Sequence, residues 1–397
     1  MIFLRHALVI ALLAGAPVAA QNTGLRDPDS MLQDAGRALA SGNQVKAEEE
    51  LQWILSRSPE NDRALDLLGI LRAQQQRNSE AEELFEHAIK NRPDFASPHI
   101  DLGLLYVQMS EPDKAVEQLE DGLRMAPDRA DASNALAGVL RDQAREVLNS
   151  DIEKSLSLLL HARKIAPENP DVQFDLGMVE LRMSLLPDAV DAFQQVLKLR
   201  SNDAPAIYGL GRAYLEWAKF SEARQQFEQY VKLQPNDASG HYGLGMSCAA
   251  LQLAPEARAE FEKSIALAPV QTESYFRLGL LDLDAEDYSP AEKNFQHVLD
   301  RNPHHAGALA AMGRAMLETK KYDQAADLLQ RAVASDASLR EAHYYLGLTY
   351  ARLGRKQESD EQLQIATQLE KESSEKQRTV FKILNPGNAA DSPAAKP

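Results

Sequence analysis

The chain holds a single cysteine, Cys248, in 397 residues. That excludes an internal disulfide, so redox conditions do not decide whether it folds. Aromatic residues are scarce at 6%, but 44% of the chain is hydrophobic, enough for a large core of aliphatic and small side chains. Basic residues are outnumbered, with 43 Lys and Arg against 59 Asp and Glu and a net charge of −16. Nucleic acid and anionic membrane surfaces bind proteins through cations that neutralise phosphate, so neither is an expected partner. The acidity reads as a solvated surface.

Long apolar runs are also missing, with one exception. Residues 1–20 carry Arg5, an apolar run from Ala7 to Ala14, and Val18-Ala19-Ala20 ahead of Gln21. This is the composition of a secretory signal peptide cleaved after Ala20. The run is shorter than the roughly 20 apolar residues a membrane span needs. The expectation is an exported protein, periplasmic or secreted, with no membrane span once the leader is gone.

Catalytic constellations are absent as well. Gly209-x-Gly211 and Gly243-x-Gly245 resemble pieces of a nucleotide loop, but they lack a third glycine and a preceding strand. His304-His305 have no Cys, Asp or Glu at ligand spacing. No Ser/His/Asp set or paired carboxylates stand out. The chain is expected to be no enzyme and to need no metal or cofactor.

What the chain has is a 34-residue repeat. In Ala204 to Asp237, numbered 1 to 34, Leu210-Gly211 fall at positions 7 and 8, Tyr214 at 11, Ala223 at 20, Phe227 at 24 and Pro235 at 32. Stepping by 34 defines ten units, 28–61, 62–95, 96–129, 130–169, 170–203, 204–237, 238–271, 272–305, 306–339 and 340–373. Position 8 is glycine in eight of them, from Gly69 to Gly347, and alanine in the others, Ala35 and Ala137. Ile207, Leu210, Gly211, Tyr214 and Leu215 make one apolar helical stripe. Ser221 is placed to cap a second helix and Pro235 to stop it. Unit 130–169 carries six extra residues, expected to lengthen both of its helices and the turn between them.

This pattern resembles the tetratricopeptide repeat, with Ile207 where that family often has tryptophan. The resemblance implies an all-α, right-handed superhelical solenoid of antiparallel helix pairs. Residues 21–27 form a linker, 374–384 a C-terminal capping helix and 385–397 a disordered tail. It also implies that the first helices, here called A helices, line a groove with positions 2, 5, 9, 12 and 13. Position 5 reads Phe174, Tyr208, Tyr242, Phe276, Ala310 and Tyr344 through the last six units, after Leu32, Asp66, Ile100 and Asn134 in the first four. Arg212 and Arg314 lie at position 9. These rings either pack on neighbouring helices or face a ligand. The ligand-facing reading makes the chain a scaffold for a protein or peptide, with aromatic stacking and arginine-to-carboxylate pairing. A glycan or an outer-membrane component, bound during envelope assembly or polysaccharide export, is the alternative. The lysine and asparagine of the family's best-known peptide clamp are missing from positions 5 and 9. The oligomeric state is not legible.

Overall fold

A 34-residue unit makes two helices because each half supplies a start, an apolar face and a stop. The computed structural model describes residues 27–384, with side chains through Glu375. The leader and the tail beyond residue 384 lie outside the described residues, as do all but the last residue of the linker.

The chain divides into two units, residues 1–213 and 214–397. The N-terminal unit holds the pairs α1 (Pro28–Ala40) and α2 (Gln44–Arg57), α3 (Asp62–Gln74) and α4 (Asn78–Asn91), α5 (Ala96–Met109) and α6 (Pro112–Met125), α7 (Ala130–Val147) and α8 (Ile152–Ile165), and α9 (Pro170–Arg182) and α10 (Leu186–Leu199). The division falls within α11 (Ala204–Glu216). The C-terminal unit holds α12 (Phe220–Leu233), then α13 (Ala238–Ala250) with α14 (Ala254–Leu267), α15 (Thr272–Asp284) with α16 (Tyr288–Arg301), α17 (Ala306–Glu318) with α18 (Tyr322–Ser335), and α19 (Arg340–Arg352) with α20 (Lys356–Leu384). Among the described residues there is no strand. Within each unit the second helix of a pair, the B helix, packs on its own A helix and on the next A helix. This is an all-α solenoid.

Position 34 starts the A helices. The side chains of Asn61, Asn169, Asp203, Asp237 and His305 accept from backbone N–H groups of the first turn that follows. The B helices start differently. The chain leaves each A helix through a left-handed residue at position 15, found in nine repeats: Gly42, Gln76, Ser110, Ser184, Ala218, Gln252, Glu286, Lys320 and Gly354. In the second repeat Gln76 N–H donates to Ala73 O at 3.0 Å and Arg77 N–H to Arg72 O at 2.9 Å, a Schellman closure. This turn delivers the chain directly into the B helix. Ser221 therefore caps nothing: α12 begins at Phe220, and Lys219 before it makes no side-chain cap bond.

Seven of the nine left-handed residues are not glycine. The left-handed conformation costs a residue with a Cβ about 1–2 kcal/mol. Glu286→Gly and Lys320→Gly are each expected to raise stability by about 1 kcal/mol, the strain relieved less the entropy glycine adds to the unfolded chain. Urea denaturation followed by circular dichroism measures it, and a lowered midpoint for both would refute the strain assignment.

The fourth repeat has no left-handed residue because the insertion occupies its place. α7 runs 18 residues where most A helices run 13, and α8 keeps the usual 14. The extra residues thus extend the first helix and add one residue to the turn; the expected lengthening of the second does not occur. Ala144, in this extension, shares a buried cluster with Leu159 of α8. At the other end, α20 continues without a break from Lys356 to Leu384. Residues 374–384 are thus the end of a B helix rather than a separate helix.

Within each unit the core is built around position-24 rings. Phe85, Phe193, Phe227, Phe261 and Phe295 are fully buried. Phe193 is held between two glycines: a Cβ built on Gly177 would sit 3.0 Å from its ring, and one on Gly209 would sit 2.6 Å from it. The Gly209 separation is shorter than side chains tolerate and the Gly177 one is tight, so packing accounts for the glycine at position 8 and for Gly209 at position 6. Gly243 at position 6 likewise faces Phe227 at 2.4 Å, and Gly245 at position 8 faces Phe261 at 2.7 Å. The two Gly-x-Gly pairs are thus shaped by rings.

Candidate functional site: the A-helix wall

The position-5 rings are placed by the same phenylalanines. Phe174 meets Phe193 edge-on with ring centres 5.9 Å apart. Tyr242 tilts against Phe261 at 6.0 Å and Phe276 against Phe295 at 6.1 Å. These three rings are half-buried, resting on the core and keeping part of their surface exposed. Packing and exposure thus belong to the same ring. Tyr344 has Leu363 rather than phenylalanine at position 24, and it is the most open, with 41% of its surface exposed.

In the C-terminal unit the wall carries Tyr242, Phe276, Arg314 and Tyr344. Ala310, between Phe276 and Tyr344 in the column, is buried. Neighbours not marked by the position-5 rule complete the wall. Tyr345 meets Tyr344 edge-on at 5.3 Å. His305 lies 5.0 Å from Phe276, while its Nδ1 accepts from Ala308 N–H. His305 is therefore a helix cap with an aromatic contact, which answers the His304-His305 question raised by the sequence. Arg314 is not a free cation. It donates to Asp284 Oδ1 at 3.2 Å and lies 5.7 Å from the Tyr345 ring centre. The N-terminal unit carries Phe174 and Tyr208, half-buried, and Arg212, exposed.

Position 11 is a second column, and it faces the B helix of the preceding repeat. Arg72 binds Glu48 at 2.7 Å, Tyr106 O–H donates to Glu82 at 2.8 Å, and Asp282 accepts from Arg258 at 2.6 Å and Asn294 at 2.8 Å. Cys248 fills this slot in its repeat as a buried thiol, and burial pushes it up. Glu180 fills it in the fifth repeat, where the residue equivalent to Glu48, Glu82 and Arg258 is Leu156. Its Oε2 is buried without a hydrogen bond. Burial first, then the Asp188 charge, push Glu180 up to about 7.

At position 4, His99, His241 and His343 bridge from the inter-repeat turn to their own B helix. His241 contacts Pro235 O at 3.1 Å and Glu260 at 2.6 Å. Burial works to raise Glu260, but His241 and Lys263 outweigh it and hold the carboxylate below its ordinary range. Among the described residues no three His, Cys, Asp or Glu side chains converge as a metal site, and no helix is long and apolar enough to cross a membrane.

Two family models described as tetratricopeptide repeat match the chain, one over residues 72–139 and 282–348, the other over 35–94 and 208–271. Together they cover more than half of it. The chain belongs to the tetratricopeptide repeat family. Among solved structures, the APC/C hetero-tetramer Cut9–Hcn1 matches over 87% of this chain and 94% of that one, at 14% identity and a TM-score of 0.50. That likeness is one of tetratricopeptide fold alone. YrrB, titled a TPR protein with an unusual peptide-binding site, is 21% identical over 46% of this chain and 95% of its own, with a TM-score of 0.39. The Homo sapiens protein O-mannosyl-transferase TMTC3 is 28% identical over 120 residues, 30% of this chain. The match spans 13% of that protein's length.

Proposed function

We propose that this tetratricopeptide protein is a non-catalytic scaffold that holds an extended peptide segment of a protein partner against the A-helix wall of its C-terminal unit. The carrying observation is that Tyr242 and Phe276 each rest on a buried phenylalanine and stay half-exposed. Rings so fixed lose little entropy on binding, and pre-fixed aromatics are effective anchors. Arg314 is oriented by Asp284 and serves a carboxylate of the partner only by exchanging that pair, so it sets selectivity more than affinity. The leader-like composition of residues 1–20 supports a periplasmic or secreted setting.

The test is capture of partners from cell-envelope extract, followed by affinity measurement with peptides from the captured chain. Tyr242→Ala, Phe276→Ala and Tyr344→Ala are each expected to weaken peptide binding by about 1–2 kcal/mol, roughly five- to thirtyfold. Circular dichroism confirms that the variants fold. Lys293→Ala, on an exposed B-helix position, should leave affinity unchanged. A partner that binds all three ring variants as the parent does refutes the wall as the site. A captured glycan in place of a peptide supports the envelope-assembly alternative.

A further inference from the structure

In the second repeat the A-helix wall carries an acid where later repeats carry a ring. Asp66, at position 5 of α3, is 2% exposed, and Asp101, on α5, is 6% exposed. Asp66 Oδ1 is buried with no hydrogen-bond partner. The Ser97 hydroxyl donates to Asp101 Oδ2 at 3.1 Å and also serves Asp66. From the start of α7, Arg129 faces both acids, but its guanidinium is already committed to Asp131, with Nε at 2.9 Å and Nη2 at 2.7 Å. Asp62, in the first turn of α3, also faces Asp66 and is itself paired with Arg92 at 2.7 Å.

The balance of this cluster is unfavourable when every acid is ionised. Asp66, Asp101 and Asp131 stand against one guanidinium, and a buried unpaired charge is costly. A proton resolves two defects together. It removes one charge, and it relieves the orphan oxygen of Asp66 of buried negative charge that no donor satisfies. We propose that Asp66, buried with an unpartnered oxygen, keeps a proton in the folded state and so forms a latch between the second and third repeats, closed on the acid side and released as pH rises. Release loosens the α3–α5 seam and opens a groove-side position of this wall.

The titration behaviour agrees in sign. Burial first, then the Asp101 charge, hold Asp66 well above the usual aspartate range. Burial also raises Asp101, to about 6, against the pull of Arg129. A carboxyl raised in the folded state contributes stability that is full below its unfolded value and is lost as pH rises through its folded value. The window therefore opens at the ordinary aspartate value and extends past pH 6. Glu180 titrates in the same direction, but from α9, facing Asp188, Asp191 and Arg163, so it reports on a different seam.

The test is hydrogen exchange of the full chain from pH 5 to 8.5, with rates corrected for intrinsic exchange and read at α3 and α5. In the parent, the opening constant of this seam should rise with pH, by up to about tenfold per pH unit within the window. Asp66→Asn removes the titrating charge at this position and should hold the seam closed and flat across the range, with α9 still pH-dependent. A parent seam that does not respond to pH, or an Asp66→Asn seam that keeps the full response, overturns the latch. Carbon-13 carboxyl titration of the parent covers the case of a variant that does not fold. An Asp66 midpoint in the ordinary aspartate range overturns the proposal, and one well above it supports the proposal.

Discussion

Phe261→Ala is expected to destabilise the C-terminal unit by about 3–5 kcal/mol, the range for emptying a buried phenylalanine site. Phe261 is fully buried. It rests against Gly245, whose missing Cβ is the space the ring occupies. On the other side it supports Tyr242. The loss therefore has two parts. Transfer free energy of the ring is forfeited, and a cavity remains because two helix backbones already in close approach cannot collapse much further. The variant also removes the rest on which Tyr242 sits, so peptide affinity should fall even where the fold survives. Urea midpoints and affinity measured on the same sample separate these effects. A drop below 1 kcal/mol would show that the ring is not the keystone of its repeat.

Gly279→Ala has the second large effect, although it adds one methyl group. That carbon would lie 2.7 Å from Phe295 Cε1 and 3.0 Å from Cδ1. Phe295 is fully buried, so its ring has no open side to move into. Overpacking of this kind costs about 1–3 kcal/mol. The chain contains its own control. Wherever position 24 is phenylalanine, position 8 is glycine, and where position 8 is alanine, as at Ala35, position 24 is leucine, here Leu51. The double variant Gly279→Ala, Phe295→Leu should therefore lose less than the sum of the single losses, by about 1 kcal/mol. Strict additivity would mean that the two positions do not meet.

These columns explain what was readable before the structure. A repeat states the same packing solution many times, so helix pairs, close-approach glycines and turn positions are legible from period and residue size. Gly177 and Gly279 were legible for that reason. Departures from the period carry less redundancy. Nothing in the run Arg141 to Asp151 says that α7 alone absorbs the insertion, because a helix-forming sequence suits either helix. Ser221 looked like a cap because the Schellman turn at Ala218 is set by backbone geometry and leaves little trace in residue type. The ring column was legible as residues but not as roles. Phe174, Tyr242 and Phe276 pack on Phe193, Phe261 and Phe295 while staying half-exposed, and only the distances show that packing. Arg314 looked free because its partner, Asp284, is 30 residues away. Asp66 was legible only as the residue at position 5 of the second repeat, and Asp101 did not stand out at all. The lone oxygen of Asp66 is a fact of three-dimensional burial, not of spacing.

The long α7 has a practical consequence. Five residues added to an α-helix lengthen it by about 7.5 Å, and α8 keeps its normal length. The array thus accepted new material at the end of one rod without altering the next. The turn at residues 148–151 is consequently a natural splice point. A short tag or a small folded module joined at exposed Ser150 would let the position of the fourth repeat be followed by fluorescence in the intact chain.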